Sequence, residues 1–330
     1  LLIAERGFER LLAHSWVAVP SGAVIRPDGM RLADGASVRV DGHEVPLIPA
    51  GLTGPDARSL VLLRDGWRIA LTLRLFRPLI FFVACGEDAY CHQLKISLLS
   101  LAEMGRYAGH IHIITDRAGA AEAVPEALRK TCSIQRIVCE DRVDRHLARY
   151  AIAEWPDAYR FQPLLYADTD VVFNAPVEPH LARAACQGRI CAAAESGNLQ
   201  RVNIASGARL FAADGHDAGD ATGVNAGIHT IPSLQEAAPA LRLIERVARS
   251  ARWQDPDLSG LWVDQPAFNY VLTKLDLLDR EILRPMVQTP PREGYPPLDQ
   301  RAGAVHFWPT EGAWQKAAVM AAYLAALRRG

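Results

Sequence analysis

Two aspartates one residue apart, Asp168 and Asp170, interrupt an apolar run that reads Leu164-Leu165-Tyr166-Ala167-Asp168-Thr169-Asp170-Val171-Val172-Phe173. Carboxylates in such company are costly to bury unless something positive meets them. Side chains at i and i+2 of an extended segment point the same way, so this pair can converge on one cation. Hard oxygen ligands suit Mg²⁺ or Mn²⁺ and, through the metal, a phosphate-bearing ligand. A second pair with the same spacing, Asp255-Pro256-Asp257, has no apolar run before it and reads as a turn and helix entry.

A metal pair needs a buried strand to carry it, and the apolar run predicts one. Fully buried strands of parallel sheets read as continuous apolar runs, and ligands of open α/β sheets collect at the carboxyl ends of the strands. About the motif, the chain changes texture twice. Residues 1–78 open with a helix-like stretch from Ile3 to His14. Short apolar runs follow, separated by Asp28-Gly29, Asp34-Gly35, Asp41-Gly42 and Asp65-Gly66. Asp-Gly between β-prone runs favours tight hairpins, because both residues tolerate positive φ. The pattern predicts hairpins of Ser37–Val40 with Glu44–Ile48 and of Leu60–Leu63 with Trp67–Leu71, hence a small β-rich appendage.

From residue 79 onward strands and helices alternate, which predicts a largely parallel sheet with helices on both faces. Strands are expected at Leu79–Ala84, Ile111–Thr115, Ile134–Cys139, Pro163–Ala167, Ile190–Ala194, Asn225–Ile231 and Ala304–Phe307. Helices are expected at Gln93–Glu103, Pro125–Lys130, Arg142–Glu154, Ser233 to about Ala251, Trp262–Leu275 and Trp314–Arg329. The stretch from Ser196 to Thr222 reads as a long surface excursion. Trp314, Met320, Tyr323, Leu324 and Leu327 on the closing helix fit packing on the sheet, with at most peripheral membrane contact as the other reading.

Composition narrows the function. With 330 residues, half of them hydrophobic, and a net charge of -1, the chain lacks the basic footprint of a nucleic-acid reader. Cys85, Cys91, Cys132, Cys139, Cys186 and Cys191 show no zinc spacing, so they read as buried thiols of a reducing, cytoplasmic setting. No stretch approaches the roughly 20 apolar residues of a spanning helix. Leu1 stands where a Met would, and the charges just after it do not read as a secretory signal.

Four ordered segments give the motif its context. Leu164–Val172 resembles the strand-Asp-x-Asp element of the family-8 retaining glycosyltransferases, which include glycogenin and bacterial lipooligosaccharide galactosyltransferases. Asn225-Ala226-Gly227-Ile228 resembles their F-N-[AS]-G-V strand, and Asp264-Gln265 their D-Q-D-x-x-N helix start. Ala304-Val305-His306-Phe307 with Trp314 resembles the I-x-H-F-x-G-x-x-K-P-W terminus. Glu87-Asp88-Ala89-Tyr90 stands where the family has D-D-N-Y, and Ala148-Arg149 where it has A-R-L. The resemblance spans residues 79–316. It implies a GT-A, Rossmann-like fold and a hexosyltransferase acting on a nucleotide-sugar, most simply a UDP-sugar. The acceptor implied is a saccharide, a lipid-linked saccharide or a protein.

The same resemblance assigns roles. Asp168, Asp170 and His306 would hold the metal, with the imidazole tilting the choice from Mg²⁺ towards Mn²⁺. Gln265 would lie beneath the anomeric carbon and Asp264 would hold sugar hydroxyls. Asp88, Tyr90, Arg149, Thr169, Asn225, Gly227 and Lys316 would bind the nucleotide-sugar, with Tyr90 stacked on the base and Asp88 at its edge.

Three positions depart from the family pattern. The lysine of the terminal motif falls on Gly312, and the nearest lysine, Lys316, lies beyond Trp314. Ala89 replaces the asparagine of the opening, and Pro266 the second aspartate of D-Q-D. Two other readings fit parts of the chain. One is a haloacid-dehalogenase-like phosphatase with Asp168 as nucleophile, although three strands precede the motif here and that family puts it after the first. The other is a nucleotide-sugar-binding module without turnover.

Overall fold

The computed structural model describes residues 77–330 except 186–187 and 255–262, with backbone alone at 196–199 and 251–254. Before residue 77 it describes the backbone of six strands. The expected helix at 3–14, the four Asp-Gly turns, Cys186, the second Asp-x-Asp pair and Trp262 lie outside the described residues.

The six early strands are β1 (Trp16–Pro20), β2 (Ser37–Val40), β3 (His43–Pro46), β4 (Ile48–Pro49), β5 (Ala57–Arg64) and β6 (Trp67–Phe76). Both expected hairpins are present as antiparallel pairs, β2 with β3 and β5 with β6. Ile48 differs from expectation. It leaves the first hairpin and pairs with Val61 of β5, as a proline at position 46 would favour by ending the first ladder.

The main body carries β7 (Leu79–Ala84), β8 (His110–Thr115), β9 (Cys132–Arg136), β10 (Leu164–Ala167) and β11 (Val171–Phe173). Then follow β12 (Ile190–Leu199), β13 (Thr222–Ile231), β14 (Leu278–Asp279), β15 (Val287–Gln288) and β16 (Ala304–His306). Its α-helices are α1 (Asp88–Glu103), α2 (Arg142–Leu147), α3 (Glu178–Ala185), α4 (Ala208–Ala213), α5 (Leu234–Gln254), α6 (Gln265–Lys274) and α7 (Ala313–Arg329).

Seven strands form the central sheet in the order β14-β12-β13-β10-β7-β8-β9. Only β13 runs against its neighbours, β10 and β12; the other pairings are parallel. The continuous apolar runs are explained by burial on both faces. Leu79 and Phe81 enter one core with Leu147 of α2, Ile244 of α5 and Phe268 of α6. Ile80 and Phe82 enter the other with Leu94 and Leu98 of α1 and Leu181 of α3. Strand β10 splits the same way, Leu164 and Tyr166 to the first core, Leu165 and Ala167 to the second, as the two-residue period demands.

After Ala167 the chain leaves this sheet. Strand β11 belongs to a three-stranded sheet of order β11-β16-β15, in which Val171 pairs with His306. Helix α7 closes that sheet, with Met320, Tyr323 and Leu327 packed on Val172, Val305 and Phe307. The closing helix therefore packs on strands, and no described helix is long and apolar enough to cross a membrane.

Some expected elements change form. The helix expected over 142–154 is α-helical to Leu147 and continues as a 3₁₀ helix, Ala148–Glu154, up to the Trp155-Pro156 stop. The short helix at 125–130 is a 3₁₀ turn, Glu126–Thr131. The excursion after Ser196 carries structure: β12 runs on to Leu199, and a 3₁₀ turn (Ile204–Ser206) and α4 follow. Gly197 within the strand and the irregular register of β12 against β13 hid that extension from periodicity.

Candidate metal and donor site

The two aspartates sit on the step between sheets. Asp168 follows the last residue of β10, and Thr169 and Asp170 form a turn into β11. The pair is therefore not extended, as its spacing suggested. It converges because the chain turns and because each neighbour is pinned: the Asp168 N–H donates to Gly227 O (2.8 Å) and the Phe307 N–H to Asp170 O (2.9 Å). Pairing of Val171 with His306 then sets the imidazole beside both carboxylates. Its Nε2 lies 3.1 Å from Asp170 Oδ1 and 3.6 Å from Asp168 Oδ2.

Ligand atoms of Asp168, Asp170 and His306 all fall within 4.8 Å of one another. Asp170 Oδ1 is buried, and its neighbour at 3.1 Å is the His306 imidazole nitrogen, itself a potential ligand. A buried carboxylate oxygen so placed is a ready ligand for a cation. Gly227 supplies the room. A Cβ there would stand 2.4 Å from Asp168 Oδ2 and 2.3 Å from His306 Cε1. Glycine is required at this position by close approach alone.

Charge balance points the same way. Burial by itself would raise the Asp170 carboxyl, but His306 and Lys316 outweigh it and hold it well below the usual carboxylate range. Burial likewise works against a charged His306, and Asp170 and Asp168 push it back up. Asp168, Asp170 and Asp264 face Arg149, Lys316 and His306, and a cation bound at the imidazole nitrogen would take the place of its proton.

Lys316 is the correction that the departure at position 312 called for. Its Nζ donates to Asp170 Oδ2 at 2.6 Å. Gly312 precedes α7 with φ +76°, a conformation that a lysine would adopt only with strain. One helical turn onward, Lys316 lies on the same face and reaches the site. The helix start is held in place by Gln93, which accepts a hydrogen bond from Thr169 (2.9 Å) and donates to Ala313 O (2.7 Å). The Thr169 hydroxyl is thus engaged in the scaffold.

Arg149 is the hub of the opposite wall. It donates to Ala226 O (2.9 Å), lies 3.3 Å from both Asp168 and Asp264, and covers the Tyr166 ring at 4.4 Å. Burial would weaken its charge, and Asp264 chiefly, then Tyr166 and Asp168, restore it. Tyr166 donates to Asp168, and Tyr150 to Asp264 Oδ2 at 3.0 Å. Burial keeps both phenols protonated, so they act as donors to these carboxylates.

Asp264 stands at the start of α6 without capping it by its side chain. Its carboxylate is turned inward to Arg149 and Tyr150, so it is not a mere helix cap. Pro266 fits the first turn, where its missing N–H is no loss. Gln265 accepts from the Ala226 N–H (3.2 Å), and Asn225 accepts from the Gly227 N–H (2.8 Å) while donating to Glu195 (2.9 Å). In the first turn of α1, Tyr90 is half-buried; burial and Glu87 raise its phenol, and it senses Lys316 and Asp170. Asp88 is exposed and paired with Arg117.

The fold therefore gathers Asp168, Asp170, His306, Lys316, Arg149, Asp264, Gln265, Asn225 and Gly227 into one connected wall. Gln93, Tyr150, Tyr166 and Glu195 were missed by sequence reasoning. Gln93 and Tyr166 carry a signal in retrospect, a polar residue within an apolar helix face and a phenol two residues before an aspartate. Glu195 carried none.

No protein-family model matches the chain, and no curated protein matches it by sequence. Solved structures do. A galactosyltransferase, LgtC, in complex with donor and acceptor sugar analogs is 15% identical, with a TM-score of 0.50 over 75% of this chain and 95% of that one. An active-site glutamine-to-glutamate mutant of LgtC is 14% identical, with a TM-score of 0.52 over the same shares. At that identity the likeness concerns the fold, which is the mostly parallel α/β architecture of the GT-A type.

Proposed function

We propose that the chain is a metal-dependent glycosyltransferase that moves a hexose from a nucleotide-sugar, most simply a UDP-sugar, to an acceptor with retention of configuration. The observation that carries this reading is the meeting of Asp168, Asp170 and His306, their ligand atoms within 4.8 Å of one another, at the carboxyl edge of the sheet. The residues fit Mn²⁺ or Mg²⁺: two hard carboxylates, with a nitrogen ligand favouring Mn²⁺. When bound, that ion would supply positive charge against the diphosphate leaving group.

The rest of the work falls to the chain. In this reading Lys316 exchanges Asp170 for the diphosphate, which a flexible ammonium on a helix start can do without moving the backbone. Arg149 holds Asp168 and Asp264 in place. Asp264 and Asn225 accept from sugar hydroxyls, and Gln265 offers a weak, neutral oxygen beneath the anomeric carbon. A neutral acceptor suits an oxocarbenium-like transition state better than a strong base would. The LgtC mutant named above marks a glutamine as an active-site residue of that enzyme. Tyr90 stacks on the base, Asp88 bonds its edge, and the backbone at Thr169 and Gly227 borders the donor.

Residues 79–330 form the transferase domain in this proposal, and residues 1–78 a separate β-rich appendage. The acceptor is a saccharide, free or carried on lipid or protein, and the setting proposed is the cytoplasm. The phosphatase reading fits poorly, because Asp168 follows the fourth strand of the body and its Oδ1 is already engaged by Tyr166 and Arg149.

Calorimetry of UDP binding with Mn²⁺ and with chelator, followed by UDP release from a panel of UDP-sugars, tests the proposal. Binding that needs metal and disappears in Asp170→Ala, with release from at least one donor, is the expected result. Tight UDP binding with no release from any donor would convert the reading to a binding module. Metal-independent binding would overturn it.

A further inference from the structure

A second cluster of ligating groups lies on the same sheet edge. Cys85 directly follows β7, Asp116 directly follows β8, and Cys139 lies three residues beyond β9. Three adjacent parallel strands thus deliver two thiols and a carboxylate to one spot, with the ligand atoms all within 4.8 Å of one another. We propose that Cys85, Asp116 and Cys139 bind a zinc ion that braces the loop leading into α1.

Four-coordinate zinc with Zn–S bonds of about 2.3 Å sets its ligands roughly 3.5–3.8 Å apart, so the observed spacing closes with movements of about 1 Å or less. Two soft sulfurs select zinc over the hard ions that suit Asp168 and Asp170. The carboxylate is oriented already. The Gly86 N–H donates to Asp116 Oδ1 at 2.9 Å and to Oδ2 at 3.2 Å, leaving further lone pairs on each oxygen. The Cys85 thiol makes a long contact of 4.0 Å to Ile114 O and faces the Cys139 thiol. A disulfide between the two cysteines would leave the carboxylate beside both thiols without a role, whereas a zinc ion uses all three groups and displaces the thiol protons as it binds. The fourth zinc position would fall to water.

The brace has a stated consequence. It ties the ends of β7, β8 and β9 together just before Asp88 and Tyr90, the residues at the proposed base end of the donor site. The zinc site itself is independent of sugar transfer and can be tested apart from it.

The test uses the full chain carrying Asp168→Asn and Asp170→Asn, which silences the first site. After dialysis against zinc, about one equivalent should remain by elemental analysis. Cobalt titrated into the same chain should show thiolate-to-metal charge transfer in the near ultraviolet and tetrahedral ligand-field bands in the visible. Cys139→Ser or Asp116→Asn in that background should weaken zinc binding by about tenfold or more. If a variant does not fold, the cobalt spectrum of the parent still decides. Absence of retained zinc, a cobalt spectrum without the thiolate band, or recovery of a Cys85–Cys139 disulfide peptide from chain purified without reductant would each overturn the proposal.

Discussion

Lys316 donates to Asp170 across 146 residues of sequence at 2.6 Å. That contact joins the first turn of α7 to the turn between β10 and β11, and it sets an ammonium beside the proposed metal ligands. Removing it should act on the nucleotide. Lys316→Met is expected to weaken Mn²⁺-dependent UDP binding by about tenfold or more, the equivalent of about 1.4 kcal/mol, read by calorimetry. Lys316→Arg should recover part of the loss. Equal affinity in all three proteins would remove Lys316 from the donor site.

Gly227 is a purely steric position. Gly227→Ala inserts a carbon into space bordered by Asp168 Oδ2 and His306 at under 3 Å. The expected outcome is a folded protein by circular dichroism, destabilised by about 1–3 kcal/mol in urea titration, with Mn²⁺ binding lost. Retained manganese affinity would show that the three ligands do not close on one ion.

Arg149 neutralises two buried or half-buried carboxylates. Arg149→Met would strand Asp264 without its cation and should cost about 3–5 kcal/mol, measured by chemical denaturation. The double variant Arg149→Met with Asp264→Leu should regain much of that stability while staying inactive. Additive losses would mean that the pair is not coupled.

Acid should destabilise the chain through two histidines remote from the metal ligands in sequence. His112, bonded to Ser133 and Gln135, is held down to about 4, and His229, bonded to Ala226 O, to about 3, chiefly by burial in each case. Unfolded histidine titrates near about 6.5, so between that value and the depressed ones the unfolded chain binds more protons than the folded one. Stability from these two groups is complete above about pH 6.5 and is lost progressively towards pH 3, by on the order of 3 kcal/mol for each histidine. Urea midpoints that stay flat from pH 7 to pH 5 would contradict this account.

Much of the architecture was legible because two-sided burial leaves a plain mark. Leu79–Ala84 and Leu164–Ala167 are apolar at every position because each face meets its own core. What was not legible depended on approach in three dimensions. The Asp168–Asp170 pair converges through a turn between two sheets, which local spacing mistook for an extended segment. Lys316 reaches Asp170 because α7 begins at Ala313, a boundary that decides which residue faces inward. Glu195 lies at the site only because β12 continues past Ala194 through a stretch whose Gly197 reads as a breaker. The hairpins of the early strands followed their Asp-Gly signals, whereas the pairing of β1 with β6 has no local sequence cue.

The pairing of Val171 with His306 also orders events in time. During synthesis the strands of the central sheet and the paired aspartates emerge before residue 306, although one core still awaits Ala304; domains acquire structure as the chain lengthens. The third ligand and the ammonium beside it arrive with the closing strand and helix. Under the proposed function, a nascent chain therefore carries a half-made pocket that gains its grip on nucleotide only when the tail has docked.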